Sequence, residues 1–373
     1  MPESVPQAAP VLVTGSSGLI GSRLCNALAA DYTVIGLDVQ RPETRGPSVQ
    51  WIECDLTSDA AAQAALDAVA SLGGKQIASV VHLAAYYDFS GQPSPLYKKL
   101  TVDGTRRLLR GLRPFEVEKF VFSSTLLAME PVDEEDEVLT ERSSTEGEWD
   151  YPKSKLAAER VIAEEHGDIP AVILRIAGVY DEDCSSIPVS QQISRIYERK
   201  LESHLFPGDT DHGQPFIHIN DLVDCIQSAI ARRRELEPLE VFLIAEDELM
   251  SYEQLQDRIG TLLYDEEWTT IRIPKVVAKA GAWMKDTLSS EGSFIKPWMV
   301  DLADDHYPVD IRKARERLKW EPKHHLSDTL EEMIRRLQQD PRRWYEINKL
   351  GEPPPDALGT VVVNPASPRR SPK

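Results

Sequence analysis

A tyrosine and a lysine lie four residues apart in the run Tyr151-Pro-Lys-Ser-Lys155, which places both on one face of a predicted helix. A free tyrosine, with a pKa of about 10, is a poor base at neutral pH. A nearby ammonium stabilises the phenolate, which can then take a proton from a substrate hydroxyl. Three hydroxyls follow an apolar run and could hold the substrate oxygen, namely Ser123, Ser124 and Thr125. By themselves, the pair also fits a surface helix and the hydroxyls also fit turn caps.

Glycines recur as Gly15, Gly18 and Gly21 between an apolar run and a helical pattern. The first permits a tight turn, the second lets backbone N–H groups approach a pyrophosphate, and the third lets helix and strand pack closely. Asp38 ends the next apolar run, where a carboxylate can accept both adenosine ribose hydroxyls and repels a 2′-phosphate. The pattern predicts a dinucleotide site that prefers NAD to NADP. Other loop residues expected at this site are Ser17, Leu19 and Ile20.

Continuous apolar runs alternate with amphipathic stretches over residues 11–176. This alternation is typical of parallel strands buried on both faces and of the helices that cover them. We expect strands at 11–13, 33–37, 49–53, 80–83, 119–122 and 171–176, and helices at 19–30, 60–70, 95–112 and 153–165. The pattern predicts a doubly wound α/β domain, in which ligands bind beyond the carboxyl ends of the strands.

The chain divides into four predicted parts: a flexible arm at 1–9, an NAD-binding domain at 10–180, a substrate lobe at 181–345 and a disordered tail at 351–373. Some segments of the lobe are expected to cross back to the sheet. Its patterns predict helices at 188–199, 220–233, 251–263 and 310–318, and a strand at 240–244. Large apolar residues within 274–300 either wall an apolar substrate pocket or pack the core of the lobe, namely Trp283, Met284, Phe294, Ile295, Trp298 and Met299.

The chain has 373 residues and a formal net charge of −19, from 42 lysines and arginines against 61 aspartates and glutamates. That balance works against a nucleic-acid or anionic-membrane partner. Four scattered cysteines do not fit a disulfide framework or a metal site. No apolar run approaches the roughly 20 residues of a membrane helix, and no secretory signal is evident. We expect an acidic cytoplasmic protein that takes a small-molecule substrate and holds no metal.

The chain resembles the extended short-chain dehydrogenase/reductase superfamily, and within it the NAD-dependent epimerase/dehydratase family. The matching stretches are VLVTGSSGLIGSRL at 11–24, HLAA at 82–85, VFSST at 121–125, YPKSK at 151–155, LRIAGVY at 174–180, FIHINDLVDCI at 216–226 and DIRKARERLKWEP at 310–322. The resemblance implies a Rossmann-type doubly wound parallel sheet with a smaller C-terminal α/β substrate lobe. It also implies that homodimers are common.

The resemblance also assigns roles to residues. Its cofactor contacts are Asp55 and Leu56 beside the adenine, Leu83, Ala84 and Ala85 along the cofactor, and Ser123 and Ser124 against the nicotinamide. It makes Tyr151 the acid and base, and Lys155 the group that lowers the pKa of Tyr151 and binds ribose. It makes Thr125 the active-site hydroxyl.

The chain departs from this family at positions that bear on the substrate. Members that act on nucleotide sugars usually carry Asn where Gly178 stands, and Arg just before the Phe-Ile-His segment, where this chain has Gln214. Without that cation, a bound diphosphate loses charge-assisted hydrogen bonds of about 1.5–3 kcal/mol each. Arg195 or Arg199 could take its place. A support near the nicotinamide is also altered, since Thr101 replaces the usual Asn.

Three functions are compatible with these residues. We favour an NAD-dependent oxidoreductase for a secondary alcohol or ketone that is not a nucleotide sugar, because HLAAYYDF at 82–89 is similar to hydroxysteroid-dehydrogenase-like and dihydroflavonol-reductase-like branches. The alternative is a nucleotide-sugar epimerase or dehydratase with tightly bound NAD. A non-catalytic NAD-binding regulator is a third, against which the retained Tyr–Lys pair counts.

The loop 130–150 holds ten acids and one base. It would disfavour an anionic substrate if it overhung the site rather than facing solvent.

Overall fold

The computed structural model of the chain describes residues 9–42, 49–88, 90–132, 137–280 and 297–355. Its strands are β1 Val11–Thr14, β2 Val34–Asp38, β3 Val49–Glu53, β4 Gln76–Ile77, β5 Ser79–His82, β6 Glu116–Val117, β7 Phe120–Thr125, β8 Ala171–Ile176, β9 Gly178–Tyr180, β10 Leu205–Phe206, β11 Phe216–His218, β12 Leu239–Ile244 and β13 Ile271–Arg272. In these residues the central sheet has seven parallel strands in the order β12-β8-β7-β5-β1-β2-β3. The predicted doubly wound α/β fold is confirmed.

Helices cover both faces of this sheet. The labelled helices are α1 Leu19–Leu28, α2 Asp59–Gly73, α3 Asp103–Leu112, α4 Asp150–Glu165, α5 Ile187–Tyr197, α6 Ile219–Ala231 and α7 Tyr252–Tyr264. On one face α1 and α6 pack with the helix Arg312–Leu318, and on the other face α2, α3 and α4 pack together. Because both faces are covered, strands such as β7 and β8 are buried along their whole length, which explains their continuous apolar runs.

The helix predicted at 95–112 is two elements in the structure. A π-helix, Tyr97–Val102, precedes α3, and the backbone N–H of Asp103 donates to the carbonyl of Lys98. Its wider turn accompanies two contacts with the segment after β5: Tyr86 N donates to Thr101 Oγ1 at 3.0 Å, and the Tyr97 hydroxyl donates to the Asp88 carbonyl at 3.0 Å. The apolar spacing of the sequence continues through this stretch and carries no sign of the change.

A second apolar core lies outside the main sheet. It joins α5 and α7 with the helices Leu326–Gln339 and Pro341–Ile347. The strand β12 does not belong to this core, because it pairs with β8 over six residues, Leu239 to Ile244. The chain after residue 180 therefore builds a separate lobe and also returns to complete the sheet.

Several sequence predictions fall on parts of the chain outside the described residues. They are most of the arm at 1–9, most of the tail at 351–373, and Trp283, Met284, Phe294 and Ile295 of the proposed pocket wall. Among the described residues, no helix is long and apolar enough to cross a membrane. The domain limits, the homodimer and the cytoplasmic location stay predictions.

A buried carboxylate ties α6 to the segment that follows the helix Arg312–Leu318. Asp221 is 1% exposed, and its Oδ2 accepts from the backbone N–H groups of Lys323 at 2.9 Å and His324 at 2.8 Å. Its Oδ1 lies 2.9 Å from His324 Nδ1. Removing this carboxylate takes away the shared acceptor of two backbone N–H groups and a ring nitrogen, all partly buried.

We therefore expect Asp221→Ala to lower the free energy of unfolding by about 3 kcal/mol, measured by urea denaturation. Asp224→Ala is the matched control on the same helix. Asp224 pairs with Lys323 in solvent, so its loss should cost less than about 1 kcal/mol. Equal effects of the two substitutions would contradict the anchoring role of Asp221.

Candidate active site

The glycine loop joins β1 to α1 at the point where the strand order reverses, between β1 and β5. Gly15 has a φ of +69°, and a Cβ there would lie 2.9 Å from the backbone nitrogen of Ala84. A Cβ at Gly21 would lie 2.1 Å from the Gly15 carbonyl oxygen, so helix and loop approach closely. A Cβ at Gly18 would meet that oxygen at 3.4 Å, which is an ordinary contact. Gly18 thus has room for a side chain, and its absence keeps the backbone open to a ligand.

Asp38 ends β2 beside this loop. Its Oδ2 accepts from Ser17 N and its Oδ1 from Gln40 N, both at 2.9 Å, and the residue is partly exposed. The carboxylate is therefore fixed in direction next to the loop that would hold a pyrophosphate. Asp55 and Leu56 lie just beyond the end of β3, after Cys54, and Asp55 Oδ1 accepts from the backbone N–H and the hydroxyl of Thr57.

A buried histidine joins three elements at the strand reversal. His82, at the end of β5, lies 2.7 Å from Thr14 Oγ1 through Nδ1 and 2.9 Å from Thr105 Oγ1 through Nε2. Burial, and after it the charge of Lys155, lower the pKa of His82 to about 3, so this ring is neutral at neutral pH. The bonds hold the ends of β1 and β5 against α3.

Tyr151 and Lys155 lie on the first turns of α4, as their spacing predicts, against the end of β7. The Lys155 ammonium, 3% exposed, donates from Nζ to the carbonyl of Ser123 at 2.6 Å. Its Nζ is 5.9 Å from the centre of the Tyr151 ring. Thr125 is hydrogen-bonded to Tyr151. The predicted tyrosine, lysine and threonine thus come together in one place.

Burial sets the proton affinities of this pair. It raises the pKa of Tyr151 to about 12, and the hydrogen bond with Thr125 opposes that rise. It lowers the pKa of Lys155 to about 7, and the negative charge of Glu159 opposes that fall. In the protein without a ligand, Tyr151 is therefore a neutral phenol at neutral pH. A positive group beside it is needed to make the phenolate accessible.

Ser124 differs from its two neighbours because side chains alternate along a strand. Ser123 Oγ donates to the His82 carbonyl at 3.2 Å, whereas the Ser124 hydroxyl donates to the Glu159 carboxylate of α4. That carboxylate also pairs with Arg175 of β8 at 2.8 Å. The Ser124 hydroxyl is thus engaged with a buried ion pair, and its catalytic assignment stays a prediction.

One cavity of about 730 Å³ runs from the glycine loop past Tyr151 into the C-terminal lobe. The predicted site residues that line it are Gly15, Gly18, Leu19, Ile20, Gly21, Leu83, Ala85, Ser123, Ser124, Thr125, Tyr151 and Lys155. Ser17, Asp38, Asp55, Leu56 and Ala84 do not line it, although they sit around the ends of β1, β2, β3 and β5. Met299, from the proposed apolar wall, does line it.

Two aromatic rings flank Tyr151 at the cavity wall. Tyr87 meets the Tyr151 ring edge-on at 4.8 Å between ring centres, and Trp149 lies at 5.5 Å in a tilted arrangement. Sequence reasoning did not single out these rings. Their signals were available, since Tyr87 follows the cofactor-lining run at 83–85 and Trp149 immediately precedes α4.

The structure accounts for the two family departures near the substrate. A Cβ at Gly178 would lie 2.9 Å from Cδ1 of Phe216, its partner in the β9–β11 pairing. The phenyl ring thus fills the space that a side chain at 178 would need. Gln214 donates from Nε2 to the carbonyl of Asp305 at 3.2 Å, so its amide supports the lobe.

Of the two arginines proposed as substitutes, Arg195 lines the cavity and Arg199 does not. Arg199 lies over the ring of Tyr264, 3.8 Å from its centre, and pairs with Glu266 in solvent. Arg195 is partly buried on α5, has no carboxylate within ion-pair distance among the described residues, and its buried Nε has no hydrogen-bond partner there. It is a cation available to a ligand.

None of the described carboxylates of the acidic loop 130–150 lines the cavity. The loop instead runs along 306–310, where Val132 N donates to the His306 carbonyl at 3.0 Å and Leu139 N to the Pro308 carbonyl at 2.8 Å. This supports the interpretation of the loop as a surface segment for those residues, so it gives no argument against an anionic substrate.

A sequence profile of the NAD dependent epimerase/dehydratase family matches residues 11–245, from the start of β1 to just past the end of β12. The chain belongs to this family. The predicted family and its NAD cofactor are thereby confirmed. The prediction of an enzyme is confirmed as well, against the alternative of a non-catalytic regulator.

The chain is similar to several characterised proteins. It is 28% identical to UDP-glucose 4-epimerase uge1 of Schizosaccharomyces pombe over 259 residues, which are 60% of this chain and 71% of that protein. It is 24% identical over 236 residues to the decarboxylating sterol-4-alpha-carboxylate 3-dehydrogenase ERG26 of Candida albicans, covering 57% and 62%. The fold matches UDP-glucuronic acid 4-epimerase from Bacillus cereus in complex with UDP-glucuronic acid and NAD, with a TM-score of 0.65, 23% identity, and 88% and 99% coverage.

We expect Gly18→Ala to weaken NAD binding about tenfold or more while leaving the melting temperature of the free protein within about 2 °C. The new methyl would meet the fold only at the Gly15 carbonyl oxygen, at 3.4 Å, and would take up space beside the expected pyrophosphate. Gly21→Ala is the comparison. It should lower both the NAD affinity and the melting temperature, because its Cβ would overlap the Gly15 carbonyl. Isothermal titration with NAD and thermal unfolding measure the two effects. Unchanged NAD affinity in Gly18→Ala would contradict the loop assignment.

Lys155→Met should change how stability depends on pH. The pKa of Lys155 is about 7 in the folded chain and about 10.4 when unfolded, so the unfolded state binds more protons between these values. The free energy of unfolding of wild type should therefore rise as pH increases from 7 to 10. The stability advantage of Lys155→Met, which is its free energy of unfolding minus that of wild type, should be largest below pH 7 and shrink above it. Urea denaturation across this range measures it, with the exposed Lys153→Met as control. Parallel curves for Lys155→Met and wild type would contradict the assignment.

Proposed function

We propose that this enzyme is a nucleotide-sugar epimerase or dehydratase that oxidises a substrate hydroxyl and then returns the hydride to the substrate, with no net change in NAD. An epimerase returns it to the same carbonyl carbon, and a dehydratase returns it to the carbon from which water has been lost. The observation that carries this proposal is the continuous cavity, which has the Tyr151–Lys155 pair along its length and Arg195 in the C-terminal lobe. The Nε of Arg195 has no hydrogen-bond partner among the described residues. The names of the Schizosaccharomyces pombe and Bacillus cereus relatives support the same substrate class. They favour this alternative over the expectation of a substrate that is not a nucleotide sugar.

The residues present fit a dinucleotide. The backbone at Gly15 and Gly18 forms an open cradle at the N-terminus of α1, and Asp38 is fixed beside it. NAD, when bound, supplies the group that accepts the hydride and later returns it. Gly15, Gly18, Asp38 and Lys155 would hold it.

Tyr151 would move the proton. Its phenolate oxygen would take the proton of the substrate hydroxyl during oxidation, and the resulting phenol would return a proton during reduction. Lys155 supplies the positive charge that makes the phenolate accessible against the effect of burial. Thr125, hydrogen-bonded to Tyr151, is placed to hold the same substrate oxygen.

Arg195 would hold the diphosphate. The usual arginine before the Phe-Ile-His segment is Gln214 here, and its amide is committed to the Asp305 carbonyl. Arg195 reaches the same cavity from α5. A guanidinium can bind two phosphate oxygens at once, and its fixed positive charge compensates the substrate charge.

A second function is favoured by one specific observation, the aromatic wall of Tyr87 and Trp149 beside Tyr151. Such rings suit an apolar secondary alcohol, and the Candida albicans relative is named as a sterol-carboxylate dehydrogenase. This function would convert NAD to NADH with every turnover, whereas the proposed one would not.

The test is to incubate the protein and NAD with UDP-glucose, UDP-glucuronic acid and dTDP-glucose, and with a panel of apolar secondary alcohols. We expect an epimer or dehydrated product from a nucleotide sugar, without accumulation of NADH at 340 nm. Product from no nucleotide sugar, together with NADH formation from an apolar alcohol, would replace this proposal by the second function.

We expect Arg195→Gln to raise the KM for the nucleotide sugar by about 10–100-fold and to change kcat much less, because it removes a charge-assisted hydrogen bond to a remote group. Arg199→Gln is the matched control, four residues on and outside the cavity, and should leave KM unchanged. Equal KM values for Arg195→Gln and wild type would remove Arg195 from the site.

Tyr151→Phe should abolish turnover and retain NAD binding.

A further inference from the structure

Two neighbouring residues of β7 hold two successive turns of α4. The Ser123 carbonyl accepts from Lys155 Nζ, and the Ser124 hydroxyl donates to Glu159, one turn further along the helix. Lys155 and Glu159 therefore lie on the same face of α4, both against the strand end that carries Thr125. Glu159 does not line the cavity, so it does not contact a substrate directly.

Glu159 is buried, and its partner Arg175 of β8 is buried as well, each 7% exposed. The Arg175 guanidinium donates from Nε to Glu159 Oε1 at 3.2 Å and from one terminal nitrogen to Oε2 at 2.8 Å. Its other terminal nitrogen has no hydrogen-bond partner among the described residues. A buried pair that is incompletely satisfied contributes little net stability, because desolvation offsets the attraction. The Glu159–Arg175 pair should therefore matter more for the charge state of neighbouring groups than for the stability of the fold.

The group most exposed to that effect is the Lys155 ammonium. Burial lowers its pKa, and Glu159 is the group whose charge opposes this. Among the described residues, Tyr151 on α4 and His82 on β5, which is neutral, also interact with Lys155. Tyr97 on the π-helix and Tyr87 interact with Tyr151 instead. Arg175 lies on the far side of the Glu159 carboxylate and offsets part of its charge.

We propose that Glu159, held by Ser124 and balanced by Arg175, is a positioning residue that keeps Lys155 charged beside Tyr151. This inference rests on Tyr151 acting as the acid and base of the proposed function. It assigns to Ser124 the support of Glu159 in place of a contact with substrate. A neutral Lys155 would leave Tyr151 as a phenol that cannot take the substrate proton.

Substitutions of Glu159 and of Arg175 should shift the pKa of Lys155 in opposite directions. Glu159→Gln removes a negative charge and leaves Arg175 positive, so Lys155 loses its proton at lower pH. Arg175→Gln leaves Glu159 negative, so Lys155 keeps its proton to higher pH. We expect the high-pH decline of kcat/KM to move down by about one unit in the first variant and up in the second. The substrate is the nucleotide sugar on which wild type is most active.

A readout without substrate uses the stability advantage of Lys155→Met. In a Glu159→Gln background, the pH at which this advantage begins to shrink should fall by the same amount. Glu165→Gln is the matched control, because Glu165 lies on the same helix and pairs with Arg106 and Arg110 near solvent. It should leave both the pH profile and the stability window unchanged.

Shifts in opposite directions would support the inference, since a purely structural role would lower activity in both variants and leave the profile in place. Unchanged profiles, or shifts in the same direction, would overturn it. If Glu159→Gln does not fold, the pH profile of Arg175→Gln decides alone, and an unchanged or downward-shifted profile would then overturn the inference. Retained turnover in Tyr151→Phe would instead refute the proposed function, so the two failures are distinguishable.

Discussion

The burial of a lysine ammonium at the end of a parallel strand is the constraint on which the site depends. A charge with 3% exposure is stable only if its surroundings replace water, and here a backbone carbonyl, a carboxylate one turn away and a neutral histidine do so. These groups come from β7, α4 and β5, so the charge also fixes how those elements meet. Tyr151 is placed by the same arrangement, because it lies one turn before Lys155 on α4.

The chemistry and the architecture share one edge of the sheet. Parallel strands bring all their carboxyl ends to that edge, and the reversal of strand order between β1 and β5 opens it between two diverging layers of helices. The glycine loop, His82 and the Ser123–Thr125 run are each the last residues of, or the first after, one of these strands. The C-terminal lobe then closes this edge from outside and adds a cation, Arg195, from α5.

The sequence was sufficient for features that depend on local pattern. The apolar runs of the strands, the glycine spacing and the Tyr151–Lys155 spacing each follow from a fixed periodicity, and the structure agrees with them. Features that depend on contacts between distant segments could not be predicted from the sequence. Phe216 filling the space at Gly178, and the choice of Arg195 over Arg199, require the packing of the lobe. The direction of Ser124 was accessible in part, since alternation along β7 already separates it from Ser123 and Thr125.

The position of β12 has a consequence for synthesis on the ribosome. The strand β8 is complete at residue 176, but its outer edge is covered only by residues 239–244, which emerge more than 60 residues later. Until then the nascent chain presents an edge of unpaired backbone N–H and C=O groups along a mostly apolar strand, which is a template for pairing with other chains. A fragment cut at the boundary near residue 180 would keep that edge open permanently. The N-terminal half thus carries the residues of the predicted nucleotide site, but it needs the later strand β12 to complete its sheet and is not expected to fold independently.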